Sequence, residues 1–182
     1  MTKDDFPEAV LIAQKSINDT DPAFYDYVKN MTELLGTETT GFVALAEGKI
    51  IGVMYMVRGT HLSAGRTDFL DEINERFGGE GLCTGTIVAV EPEYRGLKVS
   101  KKLQEYAFEF LRSKNIRHIL VEIWIRPDSY MPGYNSVRYA QSFTDYGDVP
   151  EYDATAPEAE GRVCSVCGEH CRCAAKIVVM HI

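Results

Sequence analysis

The chain has 182 residues, the length of one globular domain. Its 45% hydrophobic and 25% charged residues exclude a disordered or fibrous protein, and its net charge of −8 argues against a general nucleic-acid binder, which needs clustered lysine and arginine. The N-terminus has no apolar signal core, and no apolar run reaches the roughly 20 residues that span a bilayer. We therefore expect a cytoplasmic protein with neither a nucleic-acid nor a membrane partner.

The first half of the chain is predicted to form two helices and a β-hairpin. Apolar residues recur at helical spacing over 5–17 and again over 22–35. Two apolar runs at 41–47 and 50–58 flank a two-residue turn, which is typical of an antiparallel hairpin. The polar segment 64–80 that follows carries a short helical pattern.

The second half predicts a strand–helix–strand unit followed by a helix and a last strand. Apolar strands at 84–91 and 118–125 flank an amphipathic helix at 98–114, and such a unit predicts a right-handed parallel crossover. Helical spacing continues over 134–146, and a short apolar strand covers 175–182. No repeat or inter-domain linker is evident, so we expect a single α/β domain over residues 1–182.

The most informative stretch is the connection from the first of these strands into the helix, Val90-Glu-Pro-Glu-Tyr-Arg-Gly-Leu-Lys-Val-Ser-Lys-Lys-Leu103. The unpaired backbone N–H groups of a helix start, together with its dipole, favour an anion such as pyrophosphate. Positive charge concentrates there in an otherwise acidic chain, on Lys98, Lys101 and Lys102. The alternative is an ordinary strand–helix connection with solvated lysines.

This stretch resembles the coenzyme A signature of the GNAT family of N-acetyltransferases, Val-x-Pro-x-Tyr-Arg-Gly followed by a glycine-rich loop into a helix. The order of elements is also similar to the family's over most of the chain. The resemblance implies an α/β (α+β) fold with a mixed central sheet, an N-terminal antiparallel hairpin, a splayed parallel strand pair and flanking helices. It also implies acetyl-CoA as the cosubstrate.

The resemblance assigns cofactor contacts to the end of the splayed strand and to the loop. It places the backbone of Val88 and Val90 against the pantetheine amides and assigns the pyrophosphate to the backbone of Arg95, Gly96, Leu97, Lys98, Val99 and Ser100. We extend it to a contact between the 3′-phosphate and the side chain of Lys101 or Lys102. Two residues depart from the family pattern: Lys98 replaces its second glycine, and Ser100 replaces a glycine or alanine. If position 98 requires a positive φ, lysine costs about 1–2 kcal/mol relative to glycine.

Acetyl transfer from a thioester to an amine requires the neutral amine, and deprotonating an alkylammonium at pH 7 costs about 4.6 kcal/mol. A carboxylate base is therefore useful, whereas a covalent enzyme intermediate is not needed. Glu91, at the end of a strand, and Glu122, within a buried strand, are the candidates; the alternatives are a solvated loop acid and a paired structural carboxylate.

The acid that protonates the leaving thiolate is harder to place. The family often has a tyrosine in the helix after the next strand, and counting back from Gly147 puts Phe143 at that position. Tyr139 is the substitute that we assign as catalytic acid, with Tyr146 a second candidate. Either tyrosine also fits a packing role.

Four of the five cysteines lie in one Cys-rich segment, 164–173: Cys164, Cys167, Cys171 and Cys173. Thiolates suit tetrahedral zinc, and clustered thiols in a reducing compartment favour metal or redox chemistry over structural disulfides. A structural Zn²⁺ site with these four ligands, reduced thiols or a redox pair, and disulfides remain the three alternatives.

The sequence therefore predicts an N-acetyltransferase that acts on a primary amine of a small molecule or peptide. The alternative is a non-catalytic acyl-CoA-binding or metal- or redox-sensing module on the same scaffold, since Lys98, Ser100 and Phe143 each depart from the catalytic pattern. The negative charge favours a cationic acceptor. A homodimer formed by edge-strand exchange through the C-terminal strand is a further expectation.

Overall fold

The computed structural model describes residues 1–17, 22–60, 67–78, 81–128, 131, 137–149, 166–167 and 172–182. Four α-helices lie within the described residues: α1 Phe6–Ile17, α2 Pro22–Glu33, α3 Thr67–Phe77 and α4 Val99–Ser113. The described strands are β1 Thr39–Ala46, β2 Lys49–Arg58, β3 Leu82–Val90, β4 His118–Ile125, β5 Ser142–Val149 and β6 Ala174–His181. They form a mixed six-stranded sheet in the order β1-β2-β3-β4-β6-β5, which confirms the predicted fold class.

The predicted hairpin is confirmed, with its turn one residue earlier than expected. β1 and β2 pair antiparallel from Thr39 opposite Val57 to Ala46 opposite Lys49. The two turn residues are Glu47 and Gly48, with φ of 51° and 81°. Two successive positive φ angles are those of a type I′ turn, which matches the twist of the paired strands.

The chain divides into two compact units, and each has its own core. The first comprises Met1–Arg58 and Gly85–Ser113. Its core packs α1 and α2 against β2 and the end of β3, through residues such as Ala13, Val28 and Val53. The helical spacing in the sequence therefore marks the faces of α1 and α2 that the core buries.

The second unit comprises Gly59–Thr84 and Lys114–Ile182. Its core packs α3 against one face of β4, β5 and β6, with Ile73 and Leu120 fully buried. Within this unit the amides of Arg117 and His118 both donate to the Gly81 carbonyl, at 2.9 and 3.2 Å. β3 and β4 therefore begin side by side, as the predicted parallel crossover requires.

The helix predicted over 134–146 is wrong in its C-terminal part. Val137 is helical, a turn follows, and residues 142–149 form β5, which pairs antiparallel with β6. Gly147 does not end a helix; it lies in the strand beside a register shift, with φ of 98°. The apolar spacing of this segment fits a helix as well as a strand, and pairing with β6 decides in favour of the strand.

The C-terminal strand β6 lies between β4 and β5. It pairs with both along its length, from His118 to Ile125 on one side and from Ser142 to Val149 on the other. It is therefore not an edge strand, so the route predicted for a dimer, edge exchange through this strand, does not fit the sheet. Among the described residues, no helix is both long and apolar enough to cross a membrane.

Candidate functional site

The end of β3 in the first unit leads into the predicted cofactor turn. Ala89 and Val90 are buried, whereas Val88 is 38% exposed. The Glu91 amide donates to the Ile51 carbonyl at 3.0 Å, so pairing with β2 extends one residue past the strand. A 3₁₀ turn, Pro92–Tyr94, then carries the chain away from the sheet.

The loop from Arg95 to Lys98 begins with extended backbone and contains two residues in the left-handed region. Arg95 is extended, with φ of −66° and ψ of 151°, while Gly96 and Lys98 have φ of 79° and 63°. The Lys98 carbonyl accepts a hydrogen bond from the Lys102 amide at 3.1 Å and so opens α4. Position 98 does require a positive φ, so the lysine carries the backbone cost of about 1–2 kcal/mol relative to glycine.

The loop and the first turn of α4 present a row of backbone donors. No hydrogen bond between described residues uses the amides of residues 96–101. Beside these amides lie three exposed basic side chains, those of Arg95, Lys98 and Lys102. The Lys101 side chain is half-exposed, and its Nζ lies 3.5 Å from Glu105 Oε1. Unpaired amides, the helix dipole and local positive charge together form a site suited to a pyrophosphate.

Arg95 holds the loop against two other parts of the first unit. Its Nε donates to the Val90 carbonyl at 3.3 Å, and its terminal guanidinium nitrogen donates to Ser16 Oγ at 3.3 Å. Ser16 lies in the last turn of α1, so this helix contacts the loop directly. No local sequence pattern indicates this contact, because the two residues are 79 positions apart.

Gly52 on β2 permits α4 to begin where it does. A Cβ on this glycine would lie 3.1 Å from side-chain atoms of both Val99 and Leu103, and 3.3 Å from the Ala89 carbonyl oxygen. The first turn of the helix therefore packs directly on the backbone of β2. This close approach sets the position of the row of amides relative to the end of β3.

The first candidate base, Glu91, is ion-paired. Its Oε1 accepts a hydrogen bond from Lys15 Nζ at 2.5 Å, and Lys15 is one position from Ser16 in α1. Its Oε2 is buried and has no hydrogen-bond partner among the described residues. One carboxylate oxygen is thus oriented by α1, and the other has unused acceptor capacity.

The second candidate base, Glu122, lies in the second unit at the middle of β4. It is half-buried and stands opposite Ile177 of β6. It shares a sheet face with Leu120 and Trp124, because alternate residues of a strand point to the same side. On this face the Trp124 indole N–H is buried without a hydrogen-bond partner among the described residues.

The tyrosines proposed as the acid differ in their surroundings. Tyr139 is half-buried in the turn after Val137, whereas Phe143, at the expected tyrosine position, is exposed on β5. Tyr146, also on β5, packs against the second core and contacts the Phe69 ring edge-on at 6.4 Å between centroids. Its hydroxyl is buried without a hydrogen-bond partner among the described residues. Tyr146 therefore stays a second candidate for the catalytic acid beside Tyr139.

The Cys-rich segment is described only in part, since Cys164 and Cys171 lie outside the described residues. The Sγ atoms of Cys167 and Cys173 are 3.4 Å apart. No group of three or more potential metal ligands occurs among the residues that the structure describes. The remaining cysteine, Cys83, is buried in β3, and burial raises its pKa to about 12.

Comparisons with known proteins agree with this geometry. The model of the acetyltransferase (GNAT) family matches residues 5–131. Among solved structures, the ribosomal-protein-S18-alanine N-acetyltransferase from Escherichia coli superposes with a TM-score of 0.64 at 15% identity, over 100% of this chain and 90% of that one. The IAA acetyltransferase from Bacillus cereus gives 0.61 at 14% identity, over 100% and 96%. A search of curated protein sequences finds no significant match.

These structural likenesses, at under 25% identity, establish the fold. The family model adds the sequence evidence, and it covers both the strand that leads into the turn and the helix that follows it. On this evidence the chain belongs to the GNAT family of acetyltransferases.

Proposed function

We propose that the protein transfers an acetyl group from acetyl-CoA to a primary amine of a small molecule or peptide, by direct attack of the amine on the thioester. The observation that carries this proposal is the row of amides at residues 96–101, which have no hydrogen-bond partner among the described residues and lie beside Lys98, Lys101 and Lys102. The geometry supports a diphosphate ligand. Membership of the GNAT family implies that this ligand is acetyl-CoA.

The cofactor contacts proposed here follow the chain from the sheet into the helix. The backbone of Val88 and Val90 binds the pantetheine amides, and the backbone from Arg95 to Ser100 binds the pyrophosphate. Lys101 contacts the 3′-phosphate. Of these residues, Val88 has the exposed position on β3 that such a contact needs.

For proton transfer we propose Glu91 as the base, with Glu122 as the alternative. Glu91 directly precedes the cofactor turn, and its buried Oε2 has no hydrogen-bond partner among the described residues. Tyr139 remains the proposed acid, and the buried hydroxyl of Tyr146 supports that residue as the alternative. An acid protonates the departing thiolate, and a base removes the proton that the amine loses.

The test is calorimetric titration with acetyl-CoA, followed by turnover assays on a panel of amines, peptides and aminoglycosides. We expect binding in the wild type and an affinity about tenfold weaker when Lys98 and Lys101 are both replaced by glutamine, which corresponds to about 1.4 kcal/mol. Lys29→Gln, an exposed lysine on α2, is the matched control and should bind like the wild type. No measurable binding at millimolar ligand would contradict the proposal.

The second candidate function is a non-catalytic acyl-CoA-binding module. It is favoured by Phe143, which is exposed on a strand at the position where the family often has its helical tyrosine. This alternative predicts binding of acetyl-CoA without turnover on any acceptor. Turnover that is lost in Glu91→Gln or Glu122→Gln, with cofactor binding retained, would exclude it and identify the base.

A further inference from the structure

The last turn of α1 contacts both sides of the cofactor turn. Lys15 Nζ donates to Glu91 Oε1 at 2.5 Å, and Glu91 directly precedes the turn. The hydroxyl of the next residue, Ser16, accepts a hydrogen bond from the Arg95 guanidinium at 3.3 Å, and Arg95 closes the turn. All four residues belong to the first unit, so two separate contacts fix where the Lys15 ammonium lies beside the proposed cofactor site.

The Lys15 ammonium is held against the proposed base and is still reachable from solvent. Its side chain is 53% exposed, whereas that of Glu91 is 23% exposed. The backbone of Glu91 is itself fixed, because its amide donates to the Ile51 carbonyl on β2 at 3.0 Å. A primary amine, the functional group of the proposed acceptor, is therefore already present at the proposed base.

The position of this ion pair distinguishes it from an ordinary surface pair. Lys101 pairs with Glu105 one turn further along its own helix, at 3.5 Å. Lys15 instead pairs with a residue 76 positions away, at the point where β3 ends and the cofactor turn begins. An ion pair this exposed contributes little to stability, so stability gives no strong reason for a lysine at this position.

We propose that Lys15 is a self-modification site, an intramolecular acceptor of the acetyl group from acetyl-CoA bound at the cofactor turn. This inference rests on the function proposed above, with Glu91 as the base. The lysine nitrogen attacks the thioester carbonyl, a C–N bond forms, the C–S bond breaks, and coenzyme A leaves. Of the two protons that the ammonium loses, one passes through Glu91 to solvent and the other ends on the coenzyme A thiol.

Acetylation of Lys15 lowers the activity of the enzyme towards other amines. The acetamide carries no positive charge, so the ion pair with Glu91 is lost and the base is no longer oriented by α1. We expect the modified enzyme to turn over roughly tenfold more slowly, a part of what a general base contributes. The enzyme thus restrains itself when acetyl-CoA is present and no acceptor competes for it.

The experiment is incubation of the purified full chain with acetyl-CoA that carries an isotopically labelled acetyl group, followed by mass spectrometry of its peptides. Lys29, an exposed lysine on α2, is the matched control. We expect the label to accumulate at Lys15 on the order of 100-fold faster than at Lys29, the low end of what general base catalysis supplies. Because the transfer is intramolecular, its rate constant should not depend on protein concentration.

Two variants separate enzymatic transfer from the uncatalysed reaction of lysine with a thioester. Glu91→Gln should reduce the labelling of Lys15 to the level of Lys29 while calorimetry shows that acetyl-CoA still binds. Lys15→Arg keeps a partner for Glu91 but has no acceptor amine, so it should not lose activity during preincubation with acetyl-CoA, as the wild type does. The comparison of Lys15 with Lys29 needs no variant and decides the matter if either variant fails to fold.

Equal labelling of Lys15 and Lys29 would overturn the proposal. A rate that rises in proportion to protein concentration would also overturn it, since that would indicate transfer between molecules. If the protein binds acetyl-CoA and acetylates an amine of the panel but leaves Lys15 unlabelled, this inference fails and the proposed function stands. A protein that does not bind acetyl-CoA would remove both.

Discussion

At the scale of single residues, Lys98 combines an unfavourable backbone conformation with a useful charge. Its φ of 63° is one that glycine adopts without cost. Lys98→Gly should therefore be more stable than Lys98→Ala by about 1 kcal/mol, because both lose the charge and only alanine keeps the strained backbone. Urea denaturation of the two variants measures the difference, and equal stabilities would mean that the loop relaxes out of the left-handed conformation.

Lys15 is the residue that orients the proposed base. Its ammonium contacts Glu91 Oε1, and the Lys15 side chain is 53% exposed, so the pair contributes little to stability, about 0.2–1 kcal/mol. If Glu91 is the base, Lys15→Met should lower kcat roughly tenfold and leave the KM for acetyl-CoA unchanged. The loss in kcat is smaller than the whole contribution of a general base, because the carboxylate is still present and only its orientation is lost.

Lys15→Arg is the conservative control and should restore most of the activity, since arginine offers the same carboxylate a donor. Steady-state kinetics at varied acetyl-CoA concentration measures kcat and the KM for acetyl-CoA separately. A Lys15→Met enzyme with wild-type kcat would show that the orientation of Glu91 by α1 is irrelevant to the reaction.

At the scale of elements, the packing of α4 on β2 depends on the missing side chain of Gly52. Gly52→Ala places a Cβ 3.1 Å from Val99 and Leu103, so we expect a destabilisation of about 1–3 kcal/mol and weaker acetyl-CoA binding. Gly78→Ala is the matched control, because its new Cβ meets nothing closer than 3.7 Å. Thermal denaturation and calorimetric titration measure the two effects, and an unchanged Gly52→Ala protein would contradict this account of the helix position.

The β5–β6 pair carries a pH-dependent contribution to stability. Burial alone would raise the pKa of Asp145, but the Gly147 amide and the Lys176 ammonium, 3.1 Å away, outweigh it and lower this pKa. The stabilisation is therefore present above the usual carboxyl pKa of about 3.9 and is lost as the pH falls through the folded-state value. Asp145 is exposed, so we expect Asp145→Asn to cost about 0.2–1 kcal/mol at pH 7.

The difference in stability between wild type and Asp145→Asn should vanish in acid, where the wild-type carboxylate is itself protonated. Urea denaturation of wild type and Asp145→Asn across the acid range tests this, with Asp26→Asn, an exposed acid on α2, as the control. A difference between wild type and Asp145→Asn that persists at the lowest pH would assign the effect to packing rather than charge.

Elements with strong local signals could be predicted from the sequence, whereas β5 could not. The boundaries of β4 and α4 agree with the predictions to within one residue because a continuous apolar run and a single amphipathic stripe mark them. Residues 142–149 carry a pattern that fits a helix as well, and only pairing with a strand that starts 25 residues after they end settles it. Long-range pairing of this kind leaves no local trace.

The candidate site likewise has features that could be predicted from the sequence and features that could not. The turn after β3 could be predicted because its chemistry is local: a strand end, a glycine and a helix start with lysines. The contacts of Glu91 with Lys15 and of Arg95 with Ser16 span more than 70 positions and could not be predicted. The burial of the Tyr146 hydroxyl could not be predicted either, because it depends on packing against α3.

At the scale of the whole molecule, the interior position of β6 has a consequence for how the chain is made. β4 has β6 as a neighbour and β5 has β6 as its partner, yet β6 is synthesised after both of them. The loss of residues 174–182 should therefore abolish the second unit rather than shorten it, and a nascent chain that ends before β6 should remain protease-sensitive beyond Lys114. On the ribosome, all the residues of the first unit should therefore be available before the second unit can complete its sheet.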